Sequence, residues 1–137
     1  MRGPGGLIEL YSATIAAAHT GDVGISVPVE GLKALLVEAV FAYGAGGTSC
    51  IAYVQTRVKG GTWRDIMNLA FTTAAAKKFS KVSMYAALAA AAAVSDAAMT
   101  NDAILDGFLG DELRVKRVST GTYTGVSTLT VTASAKY

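Results

Sequence analysis

Apolar and polar residues alternate with a period of two along most of this 137-residue chain, and this alternation restricts the possible folds more than any other feature. Successive side chains of a strand point to opposite faces of a sheet, so the pattern is typical of strands with one buried face. It predicts eight strands, over residues 7–17, 24–29, 34–43, 50–58, 63–71, 77–88, 113–116 and 128–133.

Glycine-rich segments separate these predicted strands. Residues 44–48, 59–62 and 120–125 each contain glycine, which adopts the positive φ of tight hairpin turns without steric cost. We therefore expect hairpins that join consecutive strands into a meander. Residues 20–22 (Thr-Gly-Asp) are expected to form the turn that ends the first strand, and Pro28 places the second at a sheet edge.

About eight short strands with frequent turns indicate an all-β fold, a jelly-roll-like β-sandwich of antiparallel strands. The chain has no linker and is expected to form a single domain over residues 1–137, with residues 1–6 as a flexible N-terminal arm. Residues 86–98 are rich in alanine, the best helix former, but carry no amphipathic stripe of large residues. A long Ala-rich loop is favoured there, and a helix within residues 86–104 remains the alternative.

Charged residues make up only 16% of the chain and hydrophobic residues 52%, against a typical charged share of about 25%. This composition favours a surface that is partly buried in an oligomer or larger assembly, although many small Ala and Gly residues also inflate the hydrophobic count. A net charge of +2 gives no indication of nucleic-acid binding. No apolar run is long enough to cross a membrane, and no targeting segment is predicted.

Candidate catalytic residues are few. His19 is the only histidine and Cys50 the only cysteine, and no Gly-x-Ser-x-Gly motif is present. A Ser–His–Asp or Cys–His mechanism would have to use His19, which is more simply an exposed histidine beside a turn. Cys50 is expected to be a small buried hydrophobe. The chain is therefore predicted not to be an enzyme and to need no cofactor.

Two groups of charged residues invite a binding hypothesis. Calcium could use the acidic group, but its spacing differs from an EF-hand loop and turn-forming roles explain it more simply, so no metal site is predicted. The basic group is expected to be a solvated strand face, with contact to phosphate or to an acidic patch on a protein partner as the alternatives. The acidic group is Asp96, Asn101, Asp102, Asp106, Asp111 and Glu112, and the basic group is Arg114, Lys116, Arg117, Lys77, Lys78 and Lys81.

Aromatic residues suggest a carbohydrate platform as a second class of function. Tyr43 and Trp63 are expected in the core, because Tyr43 shares a strand face with apolar residues and Trp63 leads directly into a strand. Tyr53 and Tyr123 remain open as a sugar-binding pair. A carbohydrate-binding jelly-roll module of a host-recognition fibre is therefore the main alternative function.

From Gly46 onward, about two-thirds of the chain resembles small structural proteins of tailed-phage virions. The segments that carry the likeness are 53–56 (Tyr-Val-Gln-Thr), 60–66 (Gly-Gly-Thr-Trp-Arg-Asp-Ile), 71–73 (Phe-Thr-Thr) and 106–116, which begins Asp-Gly-Phe-Leu-Gly-Asp-Glu. The resemblance implies a virion location, specifically a capsid decoration (cement) protein. Such a protein would bind the major capsid protein on the outside of an icosahedral head as a homo-oligomer, a dimer or trimer. A tail or connector component is the alternative.

The resemblance supplies no contact residues. The N-terminal arm and the long loop contain little that would build a core, so they are the expected partner-contact regions. The residues named for that role are Arg2, Pro4, Val94, Met99 and Ile104.

Overall fold

The computed structural model describes residues 5–85 and 96–136, and these form an all-β protein. No helix occurs in these two ranges, so none there could cross a membrane. The strands are β1 (Gly5–Ile15), β2 (His19–Val23), β3 (Val27–Pro28), β4 (Ala34–Ala42), β5 (Ala45–Gly46), β6 (Ser49–Arg57), β7 (Arg64–Phe71), β8 (Ala76–Ser83), β9 (Glu112–Thr120), β10 (Tyr123–Thr124) and β11 (Ser127–Lys136).

Two antiparallel sheets form the sandwich. The four-stranded sheet has the order β1-β11-β4-β8, and the facing sheet has the order β2-β9-β6-β7, with the short β3 also paired to β9. The eight long strands pair in a nested way, first with last: β1 with β11, β2 with β9, β4 with β8, and β6 with β7. This is the double Greek-key arrangement of a jelly roll, and the predicted all-β sandwich is confirmed. Most of the predicted Ala-rich loop, residues 86–95, lies outside the described residues.

The predicted meander is wrong. Residues 44–48 and 120–125 do not close hairpins, because β4 and β11 lie in one sheet while β6 and β9 lie in the other. These two connections cross between the sheets side by side, and β5 and β10 pair within them. A Cβ on Gly44 would lie 2.2 Å from the Gly125 carbonyl oxygen, so the close approach requires glycine. Only the turn at residues 59–62, between β6 and β7, is the expected hairpin.

Strand boundaries differ from prediction at several places, and the strand predicted over 24–29 is reduced to β3 (Val27–Pro28). Residues 20–22 are part of β2, which pairs with β9 through a bulge, and are not a turn. Gly5 and Gly6, assigned from sequence to the terminal arm, pair with Lys136 and Ala135. The strand predicted over 77–88 ends at Ser83, where an Asp106 carboxylate oxygen accepts the backbone N–H at 2.7 Å.

The core lies between the two sheets and is filled by alternate residues of every long strand. Along β11, Leu129, Val131 and Ala133 point inward, as the alternation predicts. Aromatic rings close one end, where Phe41 stacks on Phe71 with centroids 5.3 Å apart and meets Tyr123 edge-on at 5.5 Å. Large aromatic and branched side chains of this kind supply most of the stabilisation from buried apolar area.

Candidate functional site

A loop over residues 96–106 covers the outer face of the β2-β9-β6-β7 sheet near β7. The outward-facing Gln55, Asp65 and Asn68 are all buried beneath it. Within this loop, Ile104 forms a β-bridge with Met67. The Asn68 N–H donates to the Ala103 carbonyl at 3.0 Å, and the Leu105 N–H donates to Ile66 at 2.9 Å. The loop thus satisfies the backbone of β7, which would otherwise be a sheet edge.

Asp65 fastens the start of this loop. Its carboxylate accepts hydrogen bonds from the consecutive N–H groups of Ala97, Ala98 and Met99 at 2.9–3.2 Å and from Gln55 Nε2 at 2.8 Å. Ala97 has φ 56°, a left-handed conformation that turns successive amides toward one point. Such a concave run of N–H groups binds anions, and here the anion is a side chain of the protein itself.

Asn68 fastens the second half of the loop. Its Nδ2 donates to the Met99 carbonyl at 2.8 Å, and its Oδ1 accepts from the Asp102 N–H at 3.2 Å. Asp102 in turn bonds Lys78 Nζ at 2.9 Å and accepts from the Ala70 N–H at 3.2 Å. The loop is therefore a fixed structural element wherever it is described.

The acidic residues do not converge on a metal site. Within the described ranges, no group of three or more His, Cys, Asp or Glu side chains is placed to hold a metal ion. Asp96 bonds Gln55 Nε2 at 2.7 Å and Lys116 Nζ at 3.1 Å. These two contacts lower the pKa of Asp96, with the Gln55 hydrogen bond the larger cause.

Other carboxylates of the acidic group also form local ion pairs and hydrogen bonds. Glu112 forms an ion pair with Arg57 at 2.9 Å, and the hydrogen bond from Arg57 is the main cause of its lowered pKa. Asp111 accepts from the Lys59 N–H at 3.0 Å. For Asp102, desolvation opposes ionisation, but Lys78 and the Ala70 N–H outweigh it and lower the pKa.

Three residues of the basic group lie on β9: Arg114, Lys116 and Arg117. They point to different faces of the sheet, so the expectation of one solvated face is wrong for this strand. Arg117 has the same parity as Leu113 and Val115, points inward and is buried. Its Nε has no hydrogen-bond partner within the described structure. Arg114 and Lys116 point outward, but Gln55 and Asp96 already engage them.

Trp63 lies on the outer face of this sheet and is half-buried, so the predicted core role is wrong. The guanidinium carbons of Arg57 and Arg114 each lie 4.5 Å from its ring centroid. Cation–π contact with two arginines explains why a tryptophan is stable at this position. Arg114 also donates from Nε to Gln55 at 2.7 Å. The cluster holds the β6–β7 hairpin against β9.

The other edge on this side of the sandwich, β8, is open. In an antiparallel ladder, alternate residues direct their N–H and C=O toward one neighbour. The Met84 N–H donates to the Lys33 carbonyl at 2.8 Å, so the even-numbered residues of β8 face β4. The backbone groups of Lys77, Phe79 and Lys81 therefore point away from the sheet, and none of these three N–H groups has a partner within the described residues.

We call residues 77–81 the β8 edge. The side chain of Phe79 is 75% exposed between the exposed Lys77 and Lys81, and the diagonal neighbour Leu36 on β4 is 45% exposed. A cleft of about 260 Å³ runs beside this edge. The cleft is lined by Asn68, Leu69, Lys77, Lys78, Phe79, Ser80, Asp102 and Ile104.

Solvent exposure decides the roles of the remaining candidate catalytic and sugar-binding residues. Cys50 is buried, as expected, and desolvation raises its pKa to about 11. His19 is exposed, as expected, at the start of β2, and the Thr-Gly-Asp segment that follows it belongs to the strand. Tyr53 and Tyr123 are only 6% and 2% exposed, so they do not form a sugar-binding pair. The Tyr123 hydroxyl donates to the Thr72 carbonyl at 2.7 Å, and its burial raises the pKa to about 12.

Of the predicted contact residues, Met99 and Ile104 are described and both belong to the loop over β7. Ile104 is partly exposed and lines the cleft beside β8, whereas Met99 is half-buried. Arg2, Pro4 and Val94 lie outside the described residues. Sequence reasoning missed Phe79 as a contact candidate, although an aromatic residue flanked at i ± 2 by lysines was a readable signal of an exposed strand face.

Comparison of the chain with protein-family models, with curated proteins and with solved structures finds no match.

Proposed function

We propose that this chain is a structural protein of a tailed-phage virion, a decoration protein that binds the outside of the icosahedral head and stabilises it. The main support from the structure is the β8 edge, where exposed apolar side chains lie among lysines on a rigid two-sheet body. Exposed apolar groups with a polar rim are typical of protein-binding surfaces. The sequence resemblance supplies the identity of the partner, the major capsid protein.

The rigidity of the body suits this role. Loops are the parts of a domain that usually move, yet residues 96–106 are tied down by Asp65 and Asn68. A decoration protein must resist outward deformation of a shell, and repeated copies over the shell supply avidity even where each contact is weak. In the proposal the chain binds as a dimer or trimer and performs no catalysis.

The test is to add purified protein to undecorated heads built from the major capsid protein of the same virus. We expect saturable binding, greater heat resistance of the heads, and little binding to unassembled subunits. Phe79→Ser should weaken binding, while Ile25→Ser, which alters another exposed hydrophobic residue (66% exposed), should not.

Absence of binding, or equal binding to free subunits, would count against a decoration role. Rings formed by the purified protein alone would favour the tail or connector alternative. Size-exclusion chromatography with light scattering distinguishes a ring from a dimer or trimer.

A further inference from the structure

We infer that the β8 edge binds an extended acidic segment of a partner protein, which adds to the four-stranded sheet as a fifth strand next to β8. Strand addition of this kind takes its affinity from main-chain hydrogen bonds and its specificity from the alternating side chains. The inference rests on the proposed function for the identity of the partner, a head subunit, but its chemistry comes from the edge alone.

The backbone provides the first argument. Lys77, Phe79 and Lys81 present three N–H and three C=O groups at the rim of the sheet, at the spacing of an antiparallel or parallel partner. Beyond them the ladder is closed, because Asp106 accepts the Ser83 N–H at 2.7 Å. The open stretch is therefore about five residues long, which defines the length of the segment it can hold.

The cleft provides the second argument. It lies between the β8 edge and residues 102–104, and Leu69 and Ile104 contribute apolar surface to its wall. Side chains of an added strand alternate between the two faces of the sheet. Those facing inward would enter the cleft beside Ser80, while those facing outward would lie beside Lys77, Phe79 and Lys81.

Charge identifies the class of occupant. Lys77 and Lys81 are exposed and occupy the outer face four residues apart, with Phe79 between them. Glu38 of β4 lies opposite Phe79 on the same face, but on the side of β8 away from the added strand, so the two lysines are the charges nearest to that strand. An incoming strand that carries carboxylates at its first and fifth positions and an apolar residue at its third complements this row. Lys78 does not compete, because its Nζ already bonds Asp102 at 2.9 Å.

A second copy of the chain is a poor occupant for the same reason. Antiparallel pairing of two β8 edges about Phe79 would place Lys77 of each copy opposite Lys81 of the other, on one face. Like charges directly opposite each other destabilise a strand pair. The lysines therefore disfavour self-association while remaining compatible with an acidic strand.

The first experiment uses the full chain and a synthetic peptide with a central Glu-Val-Val-Val-Glu run between polar flanks. NMR titration should show binding, with increased hydrogen-exchange protection of the Lys77, Phe79 and Lys81 amides. The Lys-Val-Val-Val-Lys peptide is the matched control. Binding should fall at least about tenfold for the double variant Lys77→Glu/Lys81→Glu and weaken with added salt.

A backbone variant separates edge pairing from simple charge attraction. Lys81→Pro removes an outward N–H without removing a β4–β8 hydrogen bond, so it should fold and fail to bind the peptide. Lys81→Gln is its control and should retain most of the binding. Equal binding by Lys81→Pro and Lys81→Gln, protection of amides elsewhere, or no binding at millimolar peptide would overturn the inference.

Head binding distinguishes the two proposals. If wild-type protein binds heads and Lys81→Pro binds them equally well, the strand-addition inference fails and the decoration role stands. If the peptide binds as expected but heads do not, the decoration role fails and the edge chemistry stands. A concentration-dependent dimer that Lys81→Pro abolishes would assign the edge to a second copy and overturn the inference.

Discussion

The two sheet edges on one side of the sandwich, β7 and β8, differ in how their backbone groups are satisfied. The edge of β7 is covered by residues 96–106, which pair with it through Ala103, Ile104 and Leu105. On its outer face, the edge of β8 carries Lys77, Phe79 and Lys81 and no covering segment within the described residues. Unpaired edges invite association, and proteins either cover them or place charge on them. Both devices occur here within one molecule, and only the second leaves a surface on which a partner strand can pair.

The stability of the loop over β7, residues 96–106, depends most on Asp65. Asp65→Ala removes the acceptor of three partly buried backbone N–H groups and of the buried Gln55 amide. We expect the free energy of unfolding to fall by about 3 kcal/mol. Chemical denaturation measures the loss, and exchange of the Asn68 and Leu105 amides should accelerate. A loss below about 1 kcal/mol would show that the loop is held by other contacts.

Proline substitution tests which amides of β8 face outward. Ser80→Pro should remove a ladder hydrogen bond to β4 and destabilise the fold by about 2–3 kcal/mol. Lys81→Pro removes an N–H that faces the open edge, so its cost should stay below about 1 kcal/mol. Thermal unfolding of the two variants, side by side, gives the comparison. The reverse order of stability would place the open amides on the even-numbered residues.

Lys78 links the two edges through its side chain, because its Nζ bonds Asp102 and the Ala70 carbonyl. Lys78→Met keeps the apolar stem and removes both contacts. The ion pair is partly exposed, so we expect a loss of about 0.5–1 kcal/mol. Exchange at residues 102–105 should rise more than exchange elsewhere, and Lys77→Met, which removes an exposed lysine, should leave it unchanged.

Acid should affect the two edges differently. The pKa values of Asp96 and Asp102 lie below the ordinary value of 3.8. Their ionised forms therefore stabilise the fold above that pH, and this stabilisation disappears as the pH falls through the lowered values. Below about pH 3.8, protection of the Asn68 and Leu105 amides, corrected for intrinsic exchange, should fall first. The Ser80 amide, held by the β4 ladder, should keep its protection.

Much of the strand content could be predicted because alternation is a local signal. Residues 34–42 and 127–136 follow it without interruption, and both are strands. The pairing could not be predicted, because glycine serves equally well in a hairpin and in a crossing between sheets. The turn at 59–62 and the crossing at 44–48 have similar composition and opposite topological roles.

The contacts of the candidate site were harder to predict from the sequence than the strands were. Asp65 and Asn68 are separated from their loop partners by more than thirty residues, and no local pattern predicts which backbone amides a carboxylate will meet. Arg117, in contrast, could have been assigned to the inner face, since it continues the alternation of Leu113 and Val115. The prediction of an outward position followed the charge of Arg117, although the period-two pattern already indicated an inward one.

The nested pairing of the strands also sets an order for folding. Only the β6–β7 pair joins neighbours along the chain through a short turn, whereas β1 and β11 come together only after nearly the whole chain has closed. Closing long loops is entropically costly and slows folding. We therefore expect folding to begin at the hairpin and proceed outward, with φ-values high at Val54 and Met67 and low at Leu129. In a chain arranged this way, the two ends are the last parts to gain structure and the first to lose it.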